Sequence, residues 1–135
     1  MDLYADHILD HYRSPRGQEP LESPSVTHTE RNLSCGDAVT LSLKIENDVI
    51  QGIHWEGAGC AISQAGMSML SEELAGKTID EATKIDAQHM MTLLGVPIGP
   101  RRMKCALLSL HSLKNALHHV KEEPEQPWRE TAGED

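Results

Sequence analysis

A chain of 135 residues, 39% of them hydrophobic, is long enough to close one core of ordinary size. Its formal net charge of -9 disfavours nucleic acid or an anionic membrane as the principal partner. No apolar run is long enough to span a bilayer, and the acidic opening MDLYADHILDHY lacks the basic and apolar regions of a secretory signal. Three cysteines, an odd number, argue against a closed disulfide framework. The expected setting is a reducing cytoplasm, where thiols and metal thiolates persist.

Leu3, Ile8, Leu9 and Tyr12 recur at helical spacing, and Ser14-Pro15 ends the segment, so residues 2–13 read as a short amphipathic helix. Residues 14–25 carry three prolines and a glycine and suit a connecting loop. VTHTERN, from Val26, reads as an extended edge segment. In VTLSLKI, Val39, Leu41, Leu43 and Ile45 share one face, and Thr40, Ser42 and Lys44 the other. Asn47-Asp48 is a turn, and Val49 to Trp55 a further strand. Together these predict an antiparallel meander with one wet face.

Past Gly57 the period becomes helical. SQAGMSMLSEELAG carries Ala65, Met69 and Leu70 and closes at Gly76, a C′ glycine. Thr78 and Glu81 have capping-box spacing before TIDEATKI, and Asp86 is placed to cap another helix through Leu94. GVPIGP is a loop. The longest helix is expected from Arg101 to Val120, with Leu107, Leu110, Leu113, Ala116, Leu117 and Val120 as its stripe. His111, His118 and His119 read as surface. Strands grouped before helices predict an α+β fold, a small antiparallel sheet of about three strands with helices on one face. The expected organisation is one domain over residues 1–120 and an acidic, mobile tail over 121–135.

The chemistry points to the cysteines. Cys35 lies in NLSCGD, where Gly36 lets the backbone turn so that Cys35 and Asp37 can face one site; taken alone, the triplet reads somewhat better as an ordinary turn ahead of a strand. Cys60, in GAGCAIS, falls at a strand-to-helix junction, where helix N–H groups favour thiolate; a small thiol buried at a crowded turn is the alternative. Cys105, in RRMKCAL, follows Arg101, Arg102 and Lys104. Cations are unfavourable at a helix start, so they suggest thiolate activation or pairing with Asp37, against plain solvated charge. Each cysteine sits at a junction and the gaps are long, so any shared metal site must be assembled by the fold, unlike the close CxxC pairs of a zinc ribbon. Three thiolates with Asp37 would suit a thiophilic metal, and the harder carboxylate would exchange readily. His7 and His11, one turn apart, could hold a metal but more simply form a helix face. The methionines read as core filler.

NLSCGD, GAGCAIS and RRMKCALL, in that order, together with DLYADHILDHYRSPRG, resemble the motifs of the IscU/SufU/NifU N-terminal family of iron–sulfur cluster assembly proteins. The resemblance runs from residue 2 to about 120. It implies that Cys35, Asp37, Cys60 and Cys105 hold Zn²⁺ or a nascent [2Fe–2S] cluster. It further implies that Cys35 accepts sulfur from a cysteine desulfurase, and that apo iron–sulfur proteins receive the product. IscU-like members usually have His before the third cysteine. Here Lys104 stands there and Arg102 precedes it, as in SufU-like members, where the basic residue can pair with the site Asp. The short Cys60–Cys105 gap is instead IscU-like. The expected function is cluster assembly, as scaffold or as zinc-dependent sulfurtransferase. A structural zinc module without sulfur chemistry is the bland alternative.

Overall fold

Alternation in the chain centre dictates the sheet. The computed structural model describes residues 5–33 and 36–133. Within them β1 (Val26–Asn32), β2 (Asp37–Glu46) and β3 (Val49–Ala58) form one antiparallel meander in the order β1-β2-β3. Val39, Leu41 and Leu43 of β2 are wholly buried, while the opposite face carries hydroxyl pairs between strands, Thr27–Ser42 at 2.9 Å and Thr29–Thr40 at 2.8 Å. Asn47 and Asp48 both take positive φ (54° and 62°), as a two-residue hairpin between Glu46 and Val49 requires.

Helices cover the other face. They are α1 (Asp6–Arg13), α2 (Ala61–Leu74), α3 (Ile79–Thr83), α4 (Ala87–Leu94), α5 (Met103–Val120) and α6 (Trp128–Thr131). α5 packs on β1 and β2, and α2 lies among α1, α4, α5 and β3. Almost every side of α2 is therefore buried, from Ile62 to Leu74. Its buried serines are used. Ser68 Oγ accepts from the Arg16 amide at 2.8 Å and meets His11 Nδ1 at 2.7 Å, and Ser71 Oγ donates to the Arg16 carbonyl at 3.0 Å. The 14–25 loop is thus fastened to α2, and Trp55 Nε1 donates to the same carbonyl at 2.6 Å.

The expected caps are present. Thr78 and Glu81 exchange hydrogen bonds as a capping box, Asp86 Oδ1 accepts from the His89 amide, and Gly76 follows α2 with φ +86°. Of the first helix, residues 2–4 lie outside the described residues. The last long helix starts later than expected. Pro100–Arg102 form a 3-10 turn closed by Arg102 N–H to Gly99 O, because proline fits a first turn whose donor has no partner.

His111 is expected on the surface but is 3% exposed. It follows Leu107 by four residues and so shares the apolar face of α5. Its ring stacks on Trp128 with centroids 4.0 Å apart, and its Nδ1 is 2.6 Å from the buried Thr131 hydroxyl. Residues 122–127 thus lead back along α5 to α6.

Candidate metal and sulfur site

Three chain junctions meet at one end of the sheet. Asp37 opens β2, Cys60 is the N-cap of α2 directly after β3 and Gly59, and Cys105 lies in the first turn of α5. The carboxylate of Asp37 and the sulfurs of Cys60 and Cys105 lie within 4.8 Å of one another. Asp37 is 2% exposed and Cys105 4% exposed, while Cys60 is half-buried. Asp37 Oδ1 accepts the Cys60 amide N–H at 3.2 Å, and Oδ2 is 3.6 Å from Cys60 Sγ. Cys35, two residues before Asp37, lies outside the described residues.

Gly59 makes this approach feasible. A Cβ there would sit 2.3 Å from Asp37 Oδ1, and its φ of +147° disfavours any L side chain. The sequence marks this glycine only as part of a junction. Asn32 is a further member of the site that the cysteine motifs do not mark. It ends β1 on the inward face, is 4% exposed, and its Nδ2 donates toward Cys105 Sγ at 3.9 Å. The signal was available: Asn32 continues the period-two face of His28 and Glu30 into the NLSCGD motif.

Asp37, Gly59, Cys60, Cys105, Arg101 and Arg102 line a cavity of about 430 Å³. The two arginines are exposed on the 3-10 turn and supply its positive side. Lys104 does not join them. Its Nζ lies 5.7 Å from the centroid of Trp128, and it lines a different hollow with Met103, Leu107 and Arg129. His7 and His11 also turn away from metal chemistry, for His7 Nε2 meets the Leu94 carbonyl at 2.6 Å and His11 meets Ser68.

Two sulfurs and one carboxylate oxygen suit a borderline-soft divalent ion or thiophilic iron. Tetrahedral zinc with such donors would hold them about 3.5–4 Å apart, so an approach within 4.8 Å needs only small rotations. The donor set fits a metal and leaves a fourth position for one more ligand.

A sheet meander backed by helices, with thiols and a carboxylate gathered where strands give way to helices, defines a small α+β protein with a candidate metal site. The chain belongs to the NifU-like N terminal domain family, whose model matches residues 3–126. It is 37% identical over 122 residues to the iron-sulfur cluster assembly protein IscU of Plasmodium falciparum, covering 88% of this chain and 74% of that one. It is 33% identical over 132 residues to the zinc-dependent sulfurtransferase SufU of Bacillus subtilis, covering 85% and 89%. A crystal structure from Fervidobacterium islandicum AW-1, assigned as a SUF-system cluster assembly scaffold, superposes with a TM-score of 0.75 at 32% identity, over 85% of this chain and 96% of that one. No helix among the described residues is long and apolar enough to cross a membrane.

Proposed function

We propose that this protein serves iron–sulfur cluster assembly by accepting sulfur from a cysteine desulfurase and holding a nascent [2Fe–2S] cluster for apo-protein acceptors. The observation that carries the reading is the convergence of Asp37, Cys60 and Cys105 from three separate junctions. The likeness to both IscU-named and SufU-named proteins supports it. Cys35 is assigned as the remaining ligand and as the sulfur acceptor. When bound, Zn²⁺ would hold the thiols as thiolates, and a cluster would be cargo.

The chain's own groups set the chemistry. Three thiolates and one carboxylate carry four negative charges, of which a divalent ion offsets two and Arg101 and Arg102 face the remainder. The Asn32 amide donates toward Cys105 Sγ at 3.9 Å. Asp37 Oδ2 accepts from the Cys60 thiol at 3.6 Å, and its Oδ1 is anchored by the Cys60 amide. Sulfur acceptance is a thiol exchange. The Cys35 thiolate attacks the terminal sulfur of the desulfurase persulfide, the desulfurase S–S bond breaks, its cysteine leaves as thiolate, and a new persulfide forms on Cys35. Arg102 stabilises the anionic sulfur during transfer. Lys104, directed at Trp128, is given no role.

A second reading, zinc-dependent sulfurtransferase without cluster building, is favoured by the arginine-lined cavity. Anaerobic reconstitution with iron, cysteine and a desulfurase separates the two. A chromophoric cluster that transfers to an apo-ferredoxin supports the scaffold; strong desulfurase stimulation with bound zinc and no cluster supports the sulfurtransferase. In Asp37→Ala the exchangeable oxygen ligand is gone, so cluster transfer should slow about tenfold. Unchanged metal affinity, desulfurase stimulation and transfer rate in that variant would refute the assigned site. A purely structural zinc module predicts that chelation unfolds the chain and that no cysteine becomes persulfidated.

A further inference from the structure

The inner face of β1 is polar where a core face would be apolar. His28 and Glu30 point at α5 and the segment that follows it, and their side chains are only 10% and 15% exposed. At the far end of α5, His119 Nε2 is 2.8 Å from Glu125 Oε2, and His28 Nδ1 is 3.8 Å from the same oxygen. The imidazoles of His28 and His119 have centroids 5.0 Å apart. One donor atom from each of His28, His119 and Glu125 lies within 4.8 Å of the other two.

The groups behind this trio are arranged as a metal site needs. His28 Nε2 is 2.7 Å from Glu30 Oε2, and Glu30 is itself held by Asn115 Nδ2 at 2.8 Å. In neutral His28 a donated N–H on Nε2 to Glu30 would leave Nδ1, which faces Glu125, as the ligating nitrogen. A ligating histidine typically donates its other N–H to a carboxylate in this way. Glu125 is brought back by a built turn. Glu122 adopts φ +57°, His118 bonds Glu123 at 3.0 Å and Gln126 at 2.9 Å, and the Gln126 amide donates to Asn115 Oδ1 at 2.7 Å.

We propose that His28, His119 and Glu125 form a second metal site, taking a divalent ion of the zinc class, with Glu30 as the positioning residue for His28. Two imidazoles and a carboxylate are the donors such an ion prefers when thiolate is absent, and three protein ligands leave one position open. Zinc at about 2.0 Å from each donor would hold them about 3.3 Å apart, a closure that the exposed His119 and Glu125 side chains can make by rotation. The site is separate from the cysteine cavity. Along β1, His28 is four residues from Asn32, roughly 13 Å at strand rise. Its metal would tie the segment after α5 to the sheet edge.

The test is anaerobic Co²⁺ titration of untagged protein. Cobalt on thiolates gives an intense charge-transfer band; cobalt on imidazole and carboxylate gives only weak visible bands. Wild type should take a second equivalent that adds no charge-transfer intensity. His119→Ala and Glu125→Ala, both at exposed positions, should lose that equivalent, at least about 100-fold in affinity, and keep the band. Glu30→Gln should weaken it about tenfold. Cys60→Ala should reduce the band and keep the second equivalent, so failure of the cysteine site and failure of this one are distinguishable. Amide exchange over residues 121–127 should slow with metal in wild type but not in His119→Ala. A single equivalent in wild type, or an unaltered second equivalent in His119→Ala, overturns the proposal.

Discussion

The two ends of α5 are built on opposite electrostatic logic. Its N-terminal end has no side-chain cap and no acidic residue in the first turn, and it follows Arg101 and Arg102 and contains Lys104. Positive charge there opposes the helix dipole, at about 0.3–1 kcal/mol per exposed charge. Its C-terminal end carries His118 and His119 in the last turn, where the dipole would favour their protonated forms, facing Glu123 and Glu125 at 3.0 and 2.8 Å. One end gives up helix stability and gathers sulfur; the other agrees with the helix and gathers imidazole and carboxylate. Local rules are broken where soft, anionic chemistry has to be accommodated.

The strongest way to break this contrast is at the backbone that lets the sulfur end form. Gly59→Ala would push a methyl into Asp37 Oδ1 at 2.3 Å and strain a φ of +147°. Strain and overpacking together should cost about 2–3 kcal/mol, lowering the melting temperature by roughly 6–10 °C. Zinc affinity at the cysteine cavity should fall by at least about tenfold, while the His119–Glu125 end is untouched. Calorimetry and zinc competition measure both; full zinc affinity in the variant would show that the close Gly59–Asp37 approach is not what shapes the site.

Much of this architecture is legible in the chain because it is local. Val39, Leu41 and Leu43 announce one buried strand face, and Thr78, Glu81 and Asp86 announce two helix starts. The sulfur site is half legible. Junction positions flag Cys60 and Cys105, but only the fold brings them to Asp37 across gaps of tens of residues. Lys104 shows the limit of adjacency. It precedes Cys105, yet consecutive helical residues point about 100° apart, and its ammonium goes to Trp128. Gly59 depends on the Asp37 carboxylate opposite it, which no local pattern contains, whereas strand and helix period turn Asn32 and His111 inward without naming Cys105 and Trp128 as their partners. Cys35, read from sequence as ligand and acceptor, lies outside the described residues.

A second variant sharpens the contrast by separating stability from chemistry. Arg102→Ala removes a cation from the unfavourable helix end, so the folded state should gain up to about 0.5 kcal/mol or stay unchanged. The same change removes positive charge from the cysteine cavity, so sulfur uptake from the desulfurase should slow about threefold to tenfold. Added salt should diminish the wild-type advantage, since the arginine is exposed. Stability and activity falling together would mean that Arg102 merely supports the fold. Arg102→Lys keeps the charge and should recover most of the rate if charge alone is used.

The smallest expected effect lies on the face of α5 that meets the C-terminal segment. Burial holds the His111 pKa below its usual value, against the opposing pull of Glu30. The unfolded chain therefore binds a proton at His111 before the folded one does. Stability from neutral His111 is fully present above about pH 6.5 and is lost as pH falls toward the folded value. His28 runs the other way: its hydrogen bond to Glu30 raises its pKa, so its contribution is present at low pH and lost as pH rises past the folded value. The overall slope with pH mixes the two, and the useful quantity is the difference between wild type and His111→Gln. At pH 7.5 the variant should melt about 3–5 °C lower, having lost the Trp128 stack and the Thr131 hydrogen bond. By pH 5 the gap should be narrower, because only wild type is penalised by protonation. A gap that stays constant or widens on acidification would show that His111 is protonated in the folded state, and that α6 is held against α5 by charge rather than by a neutral, stacked ring.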